Sequence, residues 1–267
     1  MSTVELSSIG DGVLCITFRR PGSLNALNFP MVLDLHSVLA EAERETAARA
    51  IVLTGEGRAF CAGFDLNGYG DDDRIAAQGT TRGLLTRQSE IAATITRLRA
   101  LKQPVIAAIN GACAGAGLSY AAATDIRIAA DGAVFCAAYL RAGFTGCDLG
   151  SSWLLPRIVG AGRAHELLLT ARRFDAAEAL RIGLVTDVVP VAELLGKALE
   201  IAGQISENPP LSTLLTKEGM WAAVEAPSLA SAIELENRQQ VLAAMTEDRE
   251  EAALSFLEKR APKYANR

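Results

Sequence analysis

The chain has 267 residues, half of them hydrophobic and 21% charged, which suits one large domain or a domain with a smaller appendage. Lys plus Arg number 26 against 31 Asp plus Glu, and a net charge of −5 argues against a general nucleic-acid binder while allowing a local basic pocket. No apolar run nears the ~20 residues of a membrane span. Met1–Gly10 lacks a signal peptide's layout, and five cysteines without C-x-x-C spacing read as reduced thiols of a cytoplasmic protein.

The β-branched run Gly12–Phe18 predicts a strand, ended by Arg19-Arg20-Pro21. Phe29–Glu45 predicts a helix, with Met31, Leu35, Val38 and Ala42 on one face. Ala50–Thr54 reads as a short buried strand, and Thr81–Leu101 as a long amphipathic helix. Pro104–Asn110, Thr124–Ala129 and Ala133–Phe135 read as further strands, so strands interleave with helices and the fold class is α/β. Beyond about Ser151 the pattern turns mostly helical. Asp175 and Glu178 form a capping box opening a short helix, and Gly183 stands at its stop. Residues 190–267 read as helices broken at Asn208-Pro209-Pro210 and Ala226-Pro227, whose apolar faces need a partner. The acidic run Asp71-Asp72-Asp73 reads as a solvated, mobile loop.

Two segments carry the chemistry. Gly57–Leu66 (GRAFCAGFDL) ends in an A-G-x-D turn with Asp65 placed to cap a helix. In Val105–Tyr120 a buried strand runs through a glycine-rich turn into an Ala-rich helix, leaving free N–H groups at the helix start. One N–H from each turn, aimed at a single developing oxyanion, would make an oxyanion hole, each donor contributing about 3–4 kcal/mol. Gly115-x-Gly117 is a poor dinucleotide fingerprint, because Tyr120 stands where a third small residue belongs. Neither a Walker A sequence nor a G-x-S-x-G elbow is present, and two histidines leave little for His-rich metal sites. His36 and His165 read as structural or exposed, and Cys61 and Cys113 as small apolar fillers rather than reactive thiols.

Arg20-Pro21, Asn25-Ala26-Leu27, RAFCAGFDL, PVIAAINGACAGAGLSYAAATDIRIA, LLPRIVG and FDAAEALRIGLV occur in that order, and together they resemble the crotonase superfamily, the enoyl-CoA hydratases, isomerases and their relatives. The resemblance covers essentially the whole chain. It implies a ββα spiral acyl-CoA-binding core over residues 1–195 and a C-terminal helical trimerisation region over 196–267, giving a homotrimer or homohexamer. It implies an acyl-CoA thioester substrate and no separate cofactor, CoA being part of the substrate. The oxyanion donors would be the N–H groups of Phe64 and Ala116. Ala62, Gly63, Asp65 and Leu66, with Gly115, would meet the CoA.

The chain departs from the hydratase pattern at both catalytic glutamates, whose positions hold Ser119 and Tyr139. Neither side chain is a carboxylate base, and a general acid–base group contributes about 10²–10⁴ in rate. Ser119 is read as a hydrogen-bonder or a small packing residue, and Tyr139 as lining the acyl pocket or as ordinary packing. Asp148 heads the stretch DLGSSWLLPR, as an aspartate does in dienoyl-CoA isomerases and aryl-CoA dehalogenases; it is read as a reactive group or as a helix N-cap. The expectation is isomerisation or other enolate chemistry using Asp148. The alternative is a non-catalytic acyl-CoA-binding trimeric subunit.

Overall fold

In the computed structural model, which describes residues 2–267, β1 (Val4–Gly10) and β2 (Val13–Phe18) form an antiparallel hairpin at the edge of a sheet. The polar N-terminus hides β1 from a reading by hydropathy: Val4 alone is buried along it, as suits an edge strand. Next comes α1 (Phe29–Arg44), where Asn28 caps by accepting from Met31 N and the anticipated apolar face is buried. The chain continues through β3 (Ala50–Gly55), β4 (Ala59–Cys61), α2 (Asp72–Gln78) and α3 (Thr80–Ala100). It then runs through β5 (Val105–Ile109), β6 (Ala112–Ala114), α4 (Ala116–Ala123), β7 (Ile126–Ala130) and β8 (Val134–Cys136). After α5 (Ser151–Val159) and α6 (Ala161–Thr170) come β9 (Arg173–Asp175), α7 (Ala176–Arg181) and β10 (Asp187–Val189). Four helices finish the chain: α8 (Leu194–Ser206), α9 (Pro210–Glu225), α10 (Leu229–Ala244) and α11 (Glu247–Glu258).

Two sheets result, β1-β2-β3-β5-β7-β10 and β4-β6-β8-β9. In each pair β3β4, β5β6 and β7β8 the first strand joins the larger sheet and the second the smaller. Helices then carry the chain back, so the path is a ββα spiral. β5 is buried along its whole length, because the sheet is covered on both faces. One face meets the main core, including Phe18, Phe60 and Tyr120. The other, with Val52, Ile106 and Ile128, is covered by Leu194, Ala198 and Ala202 of α8. The expected division at 195/196 falls within α8.

The acidic run departs from expectation. Asp72 and Asp73 open α2. Asp71 is buried, its carboxylate held by Arg74 at 2.9 Å and by Arg87. Burial alone would raise its pKa, but the bonds from Arg87 and Arg74 outweigh that and hold it below the usual carboxylate range. A sequence reading sees three like charges as solvated; it cannot see two arginines arriving from α2 and α3.

The helical tail is tied down at a buried polar point. Lys217 of α9 is buried, 2.9 Å from Asp125 and 2.8 Å from the Gln103 carbonyl. Asp125 also accepts from Trp221 Nε1 at 2.7 Å. Beyond that anchor α10 buries none of its residues, while Leu229, Met245, Phe256 and Leu257 stand exposed. Among the described residues no helix is long and apolar enough to cross a membrane.

Candidate active site

The first turn is built by the segment Leu24–Leu27. Ala62 N donates to Leu24 O (3.0 Å), Leu27 N to Gly63 O (2.7 Å) and Asp65 N to Leu27 O (2.9 Å). Because this bridge uses the groups on either side of Phe64, the Phe64 N–H faces the opposite way. Fully buried Asn25 stiffens the support by accepting from Arg20 N (2.8 Å) and donating to Glu56 O and Ala59 O (3.0 and 2.8 Å). Asp65 caps no helix, contrary to expectation. No helix follows it, and its carboxylate accepts from Arg20 (2.8 Å) and Asn67 N (3.1 Å). The bond from Arg20 holds its pKa below the usual range.

The second turn is Gly115, whose φ of 50° and ψ of −120° suit glycine, followed by α4. Leu118 N and Ser119 N both fold back to Gly115 O, leaving the N–H of Ala116 at the open end of the helix. All eight residues of α4 are buried, so its positive end acts in a poorly solvated surrounding. The two turns touch. A Cβ on Gly63 would lie 3.6 Å from Ala116 N, and one on Gly117 would lie 2.1 Å from Cys61 O. Only glycine at 117 lets α4 approach β4 this closely. Ala62, Gly63, Phe64, Leu66, Gly115, Ala116, Tyr139 and Phe144 all line a cavity of about 150 Å³. Leu66 is 74% exposed at its mouth.

Ser119 and Tyr139 meet, as their shared correspondence to the glutamate pair implies, but their hydroxyls are spent on the protein. The Tyr139 hydroxyl donates to Gly115 O at 2.8 Å, so it accepts from Ser119 Oγ. Burial pushes the Tyr139 phenol well above its usual range, against the pull of the Ser119 bond. The pair thus braces the carbonyl of the residue preceding Ala116.

Asp148 lies beside this pair and lines a larger cavity of about 700 Å³, with Phe64, Leu66, Tyr69, Leu84, Leu85, Arg87, Gln88, Ile91 and Phe144. Its carboxylate is not a helix cap: α5 begins at Ser151 behind Gly150, with no side-chain cap. Oδ1 accepts from Gln88 Nε2 (2.6 Å) and Leu149 N (2.9 Å). Burial raises the Asp148 pKa, with these two bonds pulling it partly back. Phe64 and Phe144 line both cavities, ring centres 6.4 Å apart, and so stand between the amide site and the larger chamber.

Gln88, Arg87, Tyr69 and Phe144 carry no motif that would single them out in the sequence. Arg87 lies over the Tyr69 ring at 4.7 Å, which makes the Asp71 network the floor of the chamber. Burial pushes Cys61 up to about 12 and Cys113 well above its usual range, so these thiols beside the turns are packing atoms. His36 sits away from the chamber lining, its ring bonded to Glu90 O and Arg97, and His165 is exposed. Among the described residues no three His, Cys, Asp or Glu side chains are grouped to hold a metal ion.

A ββα spiral whose two glycine-bearing turns meet at the wall of a cavity defines a protein of the crotonase type. The family model described as enoyl-CoA hydratase/isomerase matches residues 8–267, and the chain belongs to that family: it is an acyl-CoA enzyme of the hydratase/isomerase type. It is 37% identical over 252 residues to a "probable enoyl-CoA hydratase" of Mycobacterium tuberculosis, covering 94% of this chain and 88% of the relative. It is 35% identical to the 1,2-epoxyphenylacetyl-CoA isomerase of Escherichia coli, over 98% of each chain. A solved structure, a "probable enoyl-CoA hydratase/isomerase" from Mycobacterium abscessus, superposes with a TM-score of 0.92 at 34% identity over 100% of each chain.

Proposed function

We propose that this enzyme stabilises a thioester enolate between the N–H groups of Phe64 and Ala116 and moves a proton with Asp148, catalysing isomerisation or related enolate chemistry rather than hydration. The observation that carries the reading is the contrast between the acids and the hydroxyls. The Ser119 hydroxyl is held by Tyr139 and the Asp148 carbonyl and the Tyr139 hydroxyl by Gly115 O, whereas the Asp148 carboxylate opens on the chamber with one oxygen unused by the described residues. In the reaction Asp148 takes a proton from the acyl chain. The C–H electron pair passes into the enolate, whose oxygen is held by the two amides, and the proton is returned at another carbon. A donor aimed at such an oxyanion contributes about 10²–10³ in rate.

Ala62, Gly63, Asp65, Leu66 and Gly115 would meet the CoA, and the reading requires no separate cofactor. Water addition needs a second positioned acid–base group, and positions 119 and 139 supply none. The exposed apolar side chains of α10 and α11 support a homotrimer or homohexamer built through residues 196–267. Five free thiols suit a cytoplasmic setting.

The test is turnover of crotonyl-CoA, a 3-enoyl-CoA, a dienoyl-CoA and, given the Escherichia coli relative, 1,2-epoxyphenylacetyl-CoA. Double-bond migration or epoxide isomerisation abolished by Asp148→Asn is expected. Hydration of crotonyl-CoA that survives Asp148→Asn would overturn the reading. Binding of every acyl-CoA without turnover would favour a non-catalytic subunit.

A further inference from the structure

We infer that Gln88 is the positioning residue for Asp148: from α3 its side-chain amide grips one carboxylate oxygen and so turns the other toward the acyl chamber. This rests on the reading of Asp148 as the proton-moving group. The geometry is asymmetric. The Gln88 amide and the Leu149 N–H both donate to Oδ1, at 2.6 and 2.9 Å, and among the described residues none donates a hydrogen bond to Oδ2. Gln88 and Asp148 line the same cavity of about 700 Å³, and they come from segments 60 residues apart.

The backbone of Asp148 is set independently. Its N–H donates to Ser151 Oγ (3.3 Å), its carbonyl accepts from Ser151 N (2.9 Å), and Leu149 beside it adopts a left-handed φ of 47°. Bonds to Ser151 therefore fix where the Asp148 Cα sits, while the Gln88 amide is the side-chain donor that, with the Leu149 N–H, sets the rotation of the carboxylate.

Gln88 also suits the chemistry because it is a neutral donor. An arginine or lysine there would drive the carboxylate toward a weak base. The ionisable groups around Asp148 leave that role to Gln88. Tyr139, preceding it in the chain, and Tyr120, from α4, are buried phenols pushed well above their usual range. Arg87, next to Gln88 on α3, is engaged by Asp71, and Cys147 is the adjacent exposed thiol. Among the described residues no cation pairs with Asp148, so an amide bond is the adjustable influence on both its direction and its basicity.

The test uses full-length protein labelled with 13C at aspartate carboxyls, with the Asp148 resonance assigned by its loss in Asp148→Asn. Gln88 is exposed, so its replacement leaves the core intact. In Gln88→Leu the Asp148 pKa is expected to rise by about one pH unit, the scale of a lost hydrogen bond to the charged form. Gln88→Glu, which places a like charge there, raises it further, and Gln88→Asn, one methylene too short, behaves like Gln88→Leu. The acid limb of the kcat/KM profile moves up in step. Titration curves of Gln88→Leu that coincide with the parent's would overturn the inference. Loss of the catalytic reading is seen separately, as turnover that survives Asp148→Asn, and leaves the NMR titration free to decide the role of Gln88.

Discussion

Gly117→Ala probes the proposed backbone-amide site without removing any side chain from it. A Cβ at this position would lie 2.1 Å from Cys61 O and 2.9 Å from both the carbonyl carbon and Cβ of Cys61. The closest ordinary C···O approach is about 3.3 Å, so the elements must part by about 1 Å. Neither yields easily: β4 is held in its sheet by β6, and α4 is buried on every side. The displacement falls on the first turn of α4 and carries the Ala116 N–H away from that of Phe64. A misplacement of about 1 Å costs about 10²-fold, and outright loss of one oxyanion donor about 10²–10³-fold in kcat. Overpacking of this kind destabilises by about 1–3 kcal/mol, or about 2–5 °C in Tm for a chain this size. The assay is steady-state turnover of whichever acyl-CoA the panel identifies, beside thermal unfolding by circular dichroism. Gly203→Ala, in α8 with nothing within 4 Å of the added carbon, serves as control and keeps both values. A folded Gly117→Ala enzyme with the parent kcat would refute the argument.

Four further outcomes are expected. The acid limb of the kcat/KM profile lies above the ordinary carboxylate range, because the proposed base Asp148 acts in its ionised form and burial raises its pKa. For the same reason Asp148→Asn unfolds at a higher temperature than the parent at pH 8. That gain fades as the pH falls from the raised folded pKa to the lower unfolded one, where both states are protonated; an equal gain at pH 3 would contradict it. Lys217→Ala destabilises by about 3–5 kcal/mol in urea titration, since it removes a buried cation and leaves the carboxylate of Asp125, 10% exposed, without it; a cost under about 1 kcal/mol, the value of a surface pair, would show that the pair is solvated. A thiol reagent modifies one cysteine per native chain, the exposed Cys147, and five after denaturation; rapid native labelling of Cys61 or Cys113 would contradict their packing.

What was legible in the chain was what neighbours in sequence encode. The apolar spacing of α1, the Asp175 half of the expected capping box and the proline breaks before α9 and α10 each depend on a few adjacent residues, whereas the Glu178 carboxylate turns to Arg172 and Arg181 instead of closing the box. β1 escaped because an edge strand has little apolar surface to bury, and the three-residue strands of the smaller sheet are too short to show a period. Asp65 and Asp71 were misread for a common reason: a carboxylate next to a turn resembles a cap or a solvated charge until a distant arginine is brought to it.

By itself, then, the sequence determined the class of protein and the two glycine-bearing turns, together with the absence of carboxylates at 119 and 139. Those are properties of residue types at fixed short spacings, and the chemistry of a missing acid needs no coordinates. Only the tertiary structure decided how the remaining groups are employed. It closed Ser119 and Tyr139 onto Gly115, turned Arg20 to Asp65, and joined Gln88 to Asp148 across 60 residues. Such pairings depend on how α3, α4 and the loop before α5 pack around a shared core. No short-range pattern along the chain records the direction in which a packed side chain points.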